Sequence, residues 1–264
     1  MSAAPRRTIA VVGGSGITGL FAPGSARTHR VGTPWGAPSG PVEEGEIGGV
    51  RVLFLARHGP GHTIPPHRIN YRANVDALRA LGAEAIVTVS SVGSLKEDLA
   101  PGTFVLPSQF LDFTKNRPAT FYEGGRVFHV SLADPFCPDL TAVAASVGRE
   151  VGTPFAEGRT YVCVEGPRFS TRAESSFFRS LADVIGMTLA PEVVLARERA
   201  LCYACLAMVT DYDVWAERPV EAKEIVEVMR RNADRMGRLL VTLLPRLAHP
   251  PACRCASALD DAAI

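Results

Sequence analysis

Short apolar runs alternate with longer stretches of helical period along this chain. Residues 8–12, 50–56, 85–89, 103–107, 161–164 and 201–210 are near-continuous runs rich in Val, Ile, Leu and Ala, each ending at small or polar residues. Runs of that length and composition predict strands buried on both faces. Residues 74–81 have helical spacing and stop at Gly82; a further helix is predicted over 192–199. Over 222–244, Ile225, Val228, Met229, Met236, Leu239 and Leu240 recur at helical spacing, which predicts a long amphipathic helix. Strands alternating with helices predict an α/β fold around a sheet. No linker or repeat divides the chain, so residues 1–264 are expected to form one domain, with about 248–264 a peripheral tail.

Composition narrows the classes. Lys plus Arg is 28 and Asp plus Glu 27, a net charge of +1, which argues against a general nucleic-acid binder. No run of 18 apolar residues exists, so no membrane-spanning helix is expected. The apolar stretch 9–12 is too short for a secretion signal, so a cytoplasmic protein is expected. Six cysteines do not make a disulfide scaffold at this length. Cys253-Arg-Cys255 is the only close pair, and it lacks a second pair at zinc-ribbon spacing, so no metal site is expected.

The polar segments at the strand ends carry the candidate chemistry. Gly14-Ser-Gly16-Ile-Thr-Gly19 matches G-x-G-x-x-G, but no helix opens after it and no acidic residue follows until Glu43. A dinucleotide site is therefore disfavoured, while backbone amides and the Ser15 hydroxyl still suit an anion. Arg57-His58-Gly59 offers a fork and a further donor for phosphate or carboxylate. The nearby histidines are broken up by Gly and Pro and lack a carboxylate, so they do not resemble a metal site. Ser90-Ser91-Val92-Gly93-Ser94 reads as a third strand-to-turn segment rich in hydroxyls. Three such segments at strand C-termini suggest a phosphate pocket, although each alone is an ordinary turn. Glu165-Gly-Pro-Arg-Phe-Ser170 presents an aromatic face and a hydroxyl, or else a turn with a satellite core Phe. Gly186-Met-Thr188 is a small polar turn before a helix, and Thr210-Asp-Tyr-Asp213 sets two carboxylates two residues apart for cation binding, proton handling or simple solvation.

In this order the segments resemble the trimeric purine nucleoside phosphorylases, in their methylthioadenosine-cleaving branch. The strings that carry the resemblance are Leu55-Ala-Arg-His-Gly59, Gly93-Ser94-Leu95, Asp134-Pro-Phe-Cys137, Glu165-Gly-Pro-Arg-Phe-Ser170, Pro191-Glu-Val193 and Thr210-Asp-Tyr-Asp213; the match runs from Gly13 to about Leu244. The resemblance implies a mixed central sheet flanked by helices. It implies phosphorolysis of 5′-methylthioadenosine, with inorganic phosphate as co-substrate, no cofactor, no metal and no nucleic-acid or membrane partner. Ser15, Arg57, His58, Ser90, Ser91 and Thr188 would hold phosphate, and Met187 would meet the ribose. Phe169 would lie against the purine, Ser170, Asp211 and Asp213 would read its edge, and Asp211 would be the acid. His129 would reach a neighbour's 5′ pocket in a homotrimer, and Ala222, Ile225 and Val226 would line that pocket. Ser90-Ser91-Val92 departs from many relatives, which have Thr or Ala there, and the stretch after Trp215 is about two residues shorter than in animal relatives. Alternatives are a 6-oxopurine phosphorylase, a hydrolytic nucleosidase and a nucleotide-binding module without chemistry. The Asp pair favours a 6-amino purine, and the presence of Asp211 argues against a module that has lost its acid.

Overall fold

In the computed structural model, residues 7–14, 17, 19–22, 24–216, 222–248, 252–260 and 262–263 are described, with backbone alone for 222–226. Nine strands among them form one sheet: β1 (Ile9–Gly13), β2 (Arg27–His29), β3 (Val42–Ile47), β4 (Val50–Ala56), β5 (Ala85–Ser94), β6 (Phe104–Phe113), β7 (Phe155–Val164), β8 (Val184–Gly186) and β9 (Cys202–Asp211). Their order is β2-β3-β4-β1-β5-β8-β7-β6-β9, and β9 also pairs with β5. The helices are α1 (Tyr71–Ala80), α2 (Pro138–Glu150), α3 (Arg172–Arg179), α4 (Glu192–Glu198) and α5 (Ala222–Arg246). No helix among the described residues is long and apolar enough to cross a membrane.

The central strands alternate between two cores, because successive side chains point to opposite faces. Ile9 and Val11 of β1, Val87 and Val89 of β5, and Leu206 and Met208 of β9 face the layer containing α2 and α5. There they pack with Leu140, Ala144, Met236, Leu239, Leu240 and Leu243. Ala10 and Val12, Leu53 and Leu55, and Cys205 and Ala207 face the opposite layer with Val75 and Leu78 of α1 and Val193 and Ala196 of α4. Burial on both faces is why these strands read as continuous apolar runs. A smaller cluster of Leu95, Val162, Phe178, Ala182 and Ile185 lies under α3.

The expected turn at 90–94 is instead strand. Strand β5 pairs in parallel with β1 over Ile9–Val12, then takes up β8 antiparallel through Gly93–Ile185 and Ser94–Val184. The change of partner coincides with a bulge between Val92 and Gly93 in its pairing with β9. Hydroxyl-rich residues there are satisfied by a ladder rather than a loop, and the bulge bends the strand. The other expected strands and helices are present with shifted ends. β6 and β7 run well beyond the short apolar cores that marked them, because each finds a partner along its length. Strands β2 and β3 and helices α2 and α3 have no counterpart in the apolar pattern. β3 is largely polar, Val-Glu-Glu-Gly-Glu-Ile, because one of its faces meets solvent.

Strands β1, β4, β5 and β9 run parallel to their neighbours within this set. Their C-terminal ends therefore lie together, where open α/β sheets bind ligands.

Candidate active site

A cavity of about 630 Å³ opens at these strand ends. It is lined by Arg57 and His58 after β4, Ser90 to Gly93 on β5, Pro167, Phe169 and Ser170 after β7, Ile185 to Thr188 at β8, and Thr210, Asp211 and Asp213 at β9. Arg57, His58, Ser90, Ser91, Thr188, Phe169, Ser170, Met187, Asp211 and Asp213 are thus brought to one space from five segments spread over more than half the chain. Ser15 and the side chains of Ala222, Ile225 and Val226 lie outside the described residues. His129 is exposed and is not among the residues lining the cavity of its own chain.

One end of the cavity is cationic and rich in donors. Arg57 is 1% exposed. Its Nη1 donates to Thr88 Oγ1 at 2.6 Å and faces Glu192 Oε1 at 3.4 Å, and its Nη2 donates to the Val89 carbonyl at 2.9 Å. Its Nε is buried with no acceptor among the described residues. The Tyr203 hydroxyl donates to Glu192 Oε1 at 2.8 Å. Glycine at position 14 is required by this guanidinium: a Cβ there would sit 2.6 Å from Arg57 Nη2 and 2.6 Å from the Val89 carbonyl. Ser90 Oγ lies 3.2 Å from the Tyr161 hydroxyl and 3.3 Å from Thr188 Oγ1, so two cavity hydroxyls share one network.

His58 Nδ1 donates to the Ile64 carbonyl at 2.8 Å, and its ring stacks on His62 at 4.1 Å. Burial, reinforced by the Arg57 charge, pushes its pKa down to about 4. His58 is therefore neutral at neutral pH, and with Nδ1 holding the proton its Nε2 carries a lone pair. The expectation of a second donor needs this amendment: an anion must bring its own proton, or raise the pKa of His58, to bond there.

The opposite end is acidic. Asp211 Oδ2 accepts from Thr210 Oγ1 at 2.7 Å, and Oδ1 accepts from the Asp213 amide at 2.8 Å. Asp213 holds a left-handed backbone, φ 52°. Its Oδ2 is buried close to the Ser175 hydroxyl, but the two fall short of a well-formed hydrogen bond and neither atom has another partner among the described residues. Burial raises the pKa of both carboxyls; the Thr210 and Asp213 donors partly offset this at Asp211, and Ser175 does so at Asp213. A carboxyl held up in this way keeps its proton to higher pH than an exposed one, the direction a general acid needs. Gly93 makes room for the pair: a Cβ there would approach Asp211 Oδ1 to 3.0 Å and Ile185 Cγ2 to 3.2 Å.

Apolar walls join the two ends: Val92, Val164, Ile185 and Met187, with Met229 from α5. Met229 follows Ile225 by four residues and Val226 by three, so the three share a helix face. Phe169 is 62% exposed at the mouth, an aromatic ring with no packing partner to bury it.

Several functional side chains escape the sequence patterns. Thr88 was visible as the one hydroxyl inside an apolar strand. Glu192, 1% exposed, stood in a quoted segment without a role. Arg117 gave no local signal at all. Its buried guanidinium donates to the carbonyls of Met187 at 2.8 Å, Ala190 at 2.6 Å and Glu165 at 2.6 Å, and to the Tyr71 hydroxyl at 3.1 Å. It thereby ties the Met187–Thr188 segment to the loop that carries Phe169.

A model of the Phosphorylase superfamily matches residues 8–245. The chain is 53% identical over 251 residues to S-methyl-5′-thioadenosine phosphorylase of Pyrococcus furiosus, covering 95% of this chain and 97% of the relative. Among solved structures, methylthioadenosine phosphorylase from an antarctic soil metagenomic library superposes with a TM-score of 0.92 at 41% identity, covering 99% of this chain and 93% of that one. Methylthioadenosine phosphorylase from Schistosoma mansoni, in complex with adenine, superposes with a TM-score of 0.90 at 35% identity, covering 96% of each chain.

The lowered pKa of His58 has a measurable consequence. Below its ordinary pKa of 6.5 the unfolded chain binds a proton that the folded chain refuses until about pH 4. Folding stability therefore falls as pH drops through that window. His58→Asn is expected to flatten this part of the profile, so that its Tm falls less than wild type between pH 7 and pH 4.5. Parallel Tm curves would show that His58 is not held neutral by the fold.

Proposed function

Because the chain belongs to the Phosphorylase superfamily, we infer that it cleaves 5′-methylthioadenosine with inorganic phosphate, giving adenine and 5-methylthioribose 1-phosphate. It is a pentosyltransferase of the purine nucleoside phosphorylase type. The observation that carries the reading at the residue level is the polarity of one cavity, with Arg57, Ser90 and Thr188 at one end and buried Asp211 and Asp213 at the other.

The C1′–N9 bond breaks and its electron pair leaves with the purine, while a phosphate oxygen bonds C1′. Expulsion of a purine anion is the costly part, and protonation at N7 removes that charge. Asp211 is the proposed acid, and Thr210 and the Asp213 amide fix its orientation. A 6-amino purine offers a donor at C6 and an acceptor at N7, and two carboxyls sharing a proton match that pattern. Phosphate is proposed to sit among Arg57, Ser90, Ser91 and Thr188, with His58 Nε2 accepting from its hydroxyl and Ser15 closing the site. The anion then stabilises the positive charge growing on the ribosyl ring, and the rigid strand ends hold both substrates in line. Met187 is proposed to meet the ribose and Phe169 to lie against the purine face; both line the cavity. Met229 supplies an apolar wall suited to a methylthio group, and Ala222, Ile225 and Val226 are proposed to extend it by their resemblance alone. Phosphate is proposed as co-substrate with no cofactor, and a cytoplasmic location is proposed with this reading.

The assembly proposed is a homotrimer. His129 is exposed and away from its own cavity, which supports a role in a neighbour's site, and a ring of three requires a heterologous interface that closes.

Turnover of 5′-methylthioadenosine is expected to need phosphate and to yield the sugar 1-phosphate. Equal turnover without phosphate, releasing free methylthioribose, would identify a hydrolase. Asp211→Asn is expected to lower kcat for methylthioadenosine on the order of 10²–10⁴-fold, with relative activity on inosine-type substrates rising. Near-wild-type kcat would remove Asp211 from the acid role. Light scattering is expected to report three subunits per particle; a fully active monomer would refute both the assembly and the role of His129.

A further inference from the structure

Cys253 and Cys255 stand on the tail without a second pair nearby in sequence, but the fold supplies one. Cys137 is the N-cap residue of α2, and Cys202 is the first residue of β9. The sulfurs of Cys137, Cys202, Cys253 and Cys255 all lie within 4.8 Å of one another. All four are free thiols, and Cys202 Sγ stands 3.4 Å from Cys253 Sγ, well beyond the ~2.05 Å of a disulfide. Cys137, Cys202 and Cys255 are buried and Cys253 is half-buried.

Four uncharged thiols gain little from one another, since S–H is a weak donor and sulfur a weak acceptor. Four thiolates around a tetrahedral zinc at ~2.3 Å would stand ~3.8 Å apart, so this cluster is already near the size of such a shell. The surroundings fit the charge. Arg7 is 4% exposed, its Nε has no acceptor among the described residues, and its charge acts on Cys202. Arg197 Nη1 lies 3.9 Å from Cys255 Sγ.

We propose that Cys137, Cys202, Cys253 and Cys255 bind one zinc ion per subunit as a structural site, separate from the catalytic cavity. Binding exchanges four thiol protons for one divalent ion. The resulting charge of −2 is offset by Arg7 and Arg197. None of the four lines the cavity, and Cys202 opens β9 while Asp211 closes it, so the two sites stand ~30 Å apart along the strand. The ion joins the tail to α2 and β9. Beyond the cysteines, the tail pairs Ala263 with Phe128, and the His129 amide donates to the Ala262 carbonyl at 2.7 Å. The metal thus anchors the tail that holds the backbone of His129, a consequence that rests on the intersubunit role given to that residue above. The sequence alone shows no second pair, because Cys202 and Cys253, 51 residues apart, meet only in the fold.

The test uses the full chain, expressed with zinc under reducing conditions and dialysed against EDTA. Elemental analysis is expected to find about one zinc per subunit, released by a mercurial, with all six thiols titratable in denaturant after release. Cys253→Ser and Cys255→Ser are expected to retain less than about a tenth of an equivalent, with a lower Tm than wild type and phosphorolysis still measurable. Cobalt-substituted wild type is expected to show a thiolate-to-metal charge-transfer band that Cys255→Ser lacks. Metal-free protein with six free thiols would overturn the proposal. So would metal-free protein with four of its thiols consumed in two disulfides. Loss of zinc binding in wild type would leave the phosphorolysis reading untouched, because that reading is tested by its products.

Discussion

Arg57 borders the cavity yet is almost wholly withdrawn from water, and an uncompensated guanidinium there would cost several kcal/mol. Desolvation works against its charge, and Glu192 at 3.4 Å together with Tyr71, Tyr203 and Tyr161 outweighs it, so the guanidinium stays protonated. Much of the site follows from that balance. Glu192 must be buried at the start of α4, and the Tyr203 hydroxyl on β9 must hold it there. Thr88 and the Val89 carbonyl on β5 must accept from the guanidinium, and position 14 must be glycine to let it pass. One ion pair thereby fixes the relative placement of β1, β4, β5, β9 and α4, the elements whose ends form the cavity.

The acidic end is governed by the opposite preference. Asp211 and Asp213 are held where burial raises their pKa values, with few donors to offset the cost. An unpaired carboxylate oxygen on Asp213 is a stability cost retained inside the fold. Such a cost makes sense where a ligand completes the bonding, the part proposed here for a purine edge with a donor beside an acceptor. Between these ends, Arg117 gives the loops of β7 and β8 a common anchor by drawing three carbonyls onto one guanidinium.

The parts legible in the sequence are those set by short-range rules. Strands buried on both faces announce themselves as apolar runs, and α5 by its period. The ligand-bearing segments stand out because Gly, Ser, Thr, Arg and Asp gather directly after those runs. What was hidden depends on partners far away in the chain. The stretch Ser90 to Ser94 looks like a turn until β8 is found alongside it. β3 is polar because one face is solvated, and α2 and α3 are too short or too mixed to stand out. Arg117 sits in an ordinary loop, and its role exists only once three separate carbonyls converge on it. The neutral state of His58 is equally hidden, since it is set first by burial, which no local pattern shows, and only then by its sequence neighbour Arg57.

The central claim is that the cavity separates phosphate binding at its cationic end from proton donation at its acidic end. Steady-state kinetics with phosphate as the varied substrate test it most directly, on Thr188→Val and Asp211→Asn in parallel. Losing a hydroxyl donor to an anion is worth ~1.5–3 kcal/mol, so Thr188→Val is predicted to raise the KM for phosphate about 10–100-fold. Asp211→Asn is predicted to lower kcat while leaving that KM within about threefold. The account would be contradicted if Asp211→Asn raised the phosphate KM as much as Thr188→Val does, or if Thr188→Val left it unchanged.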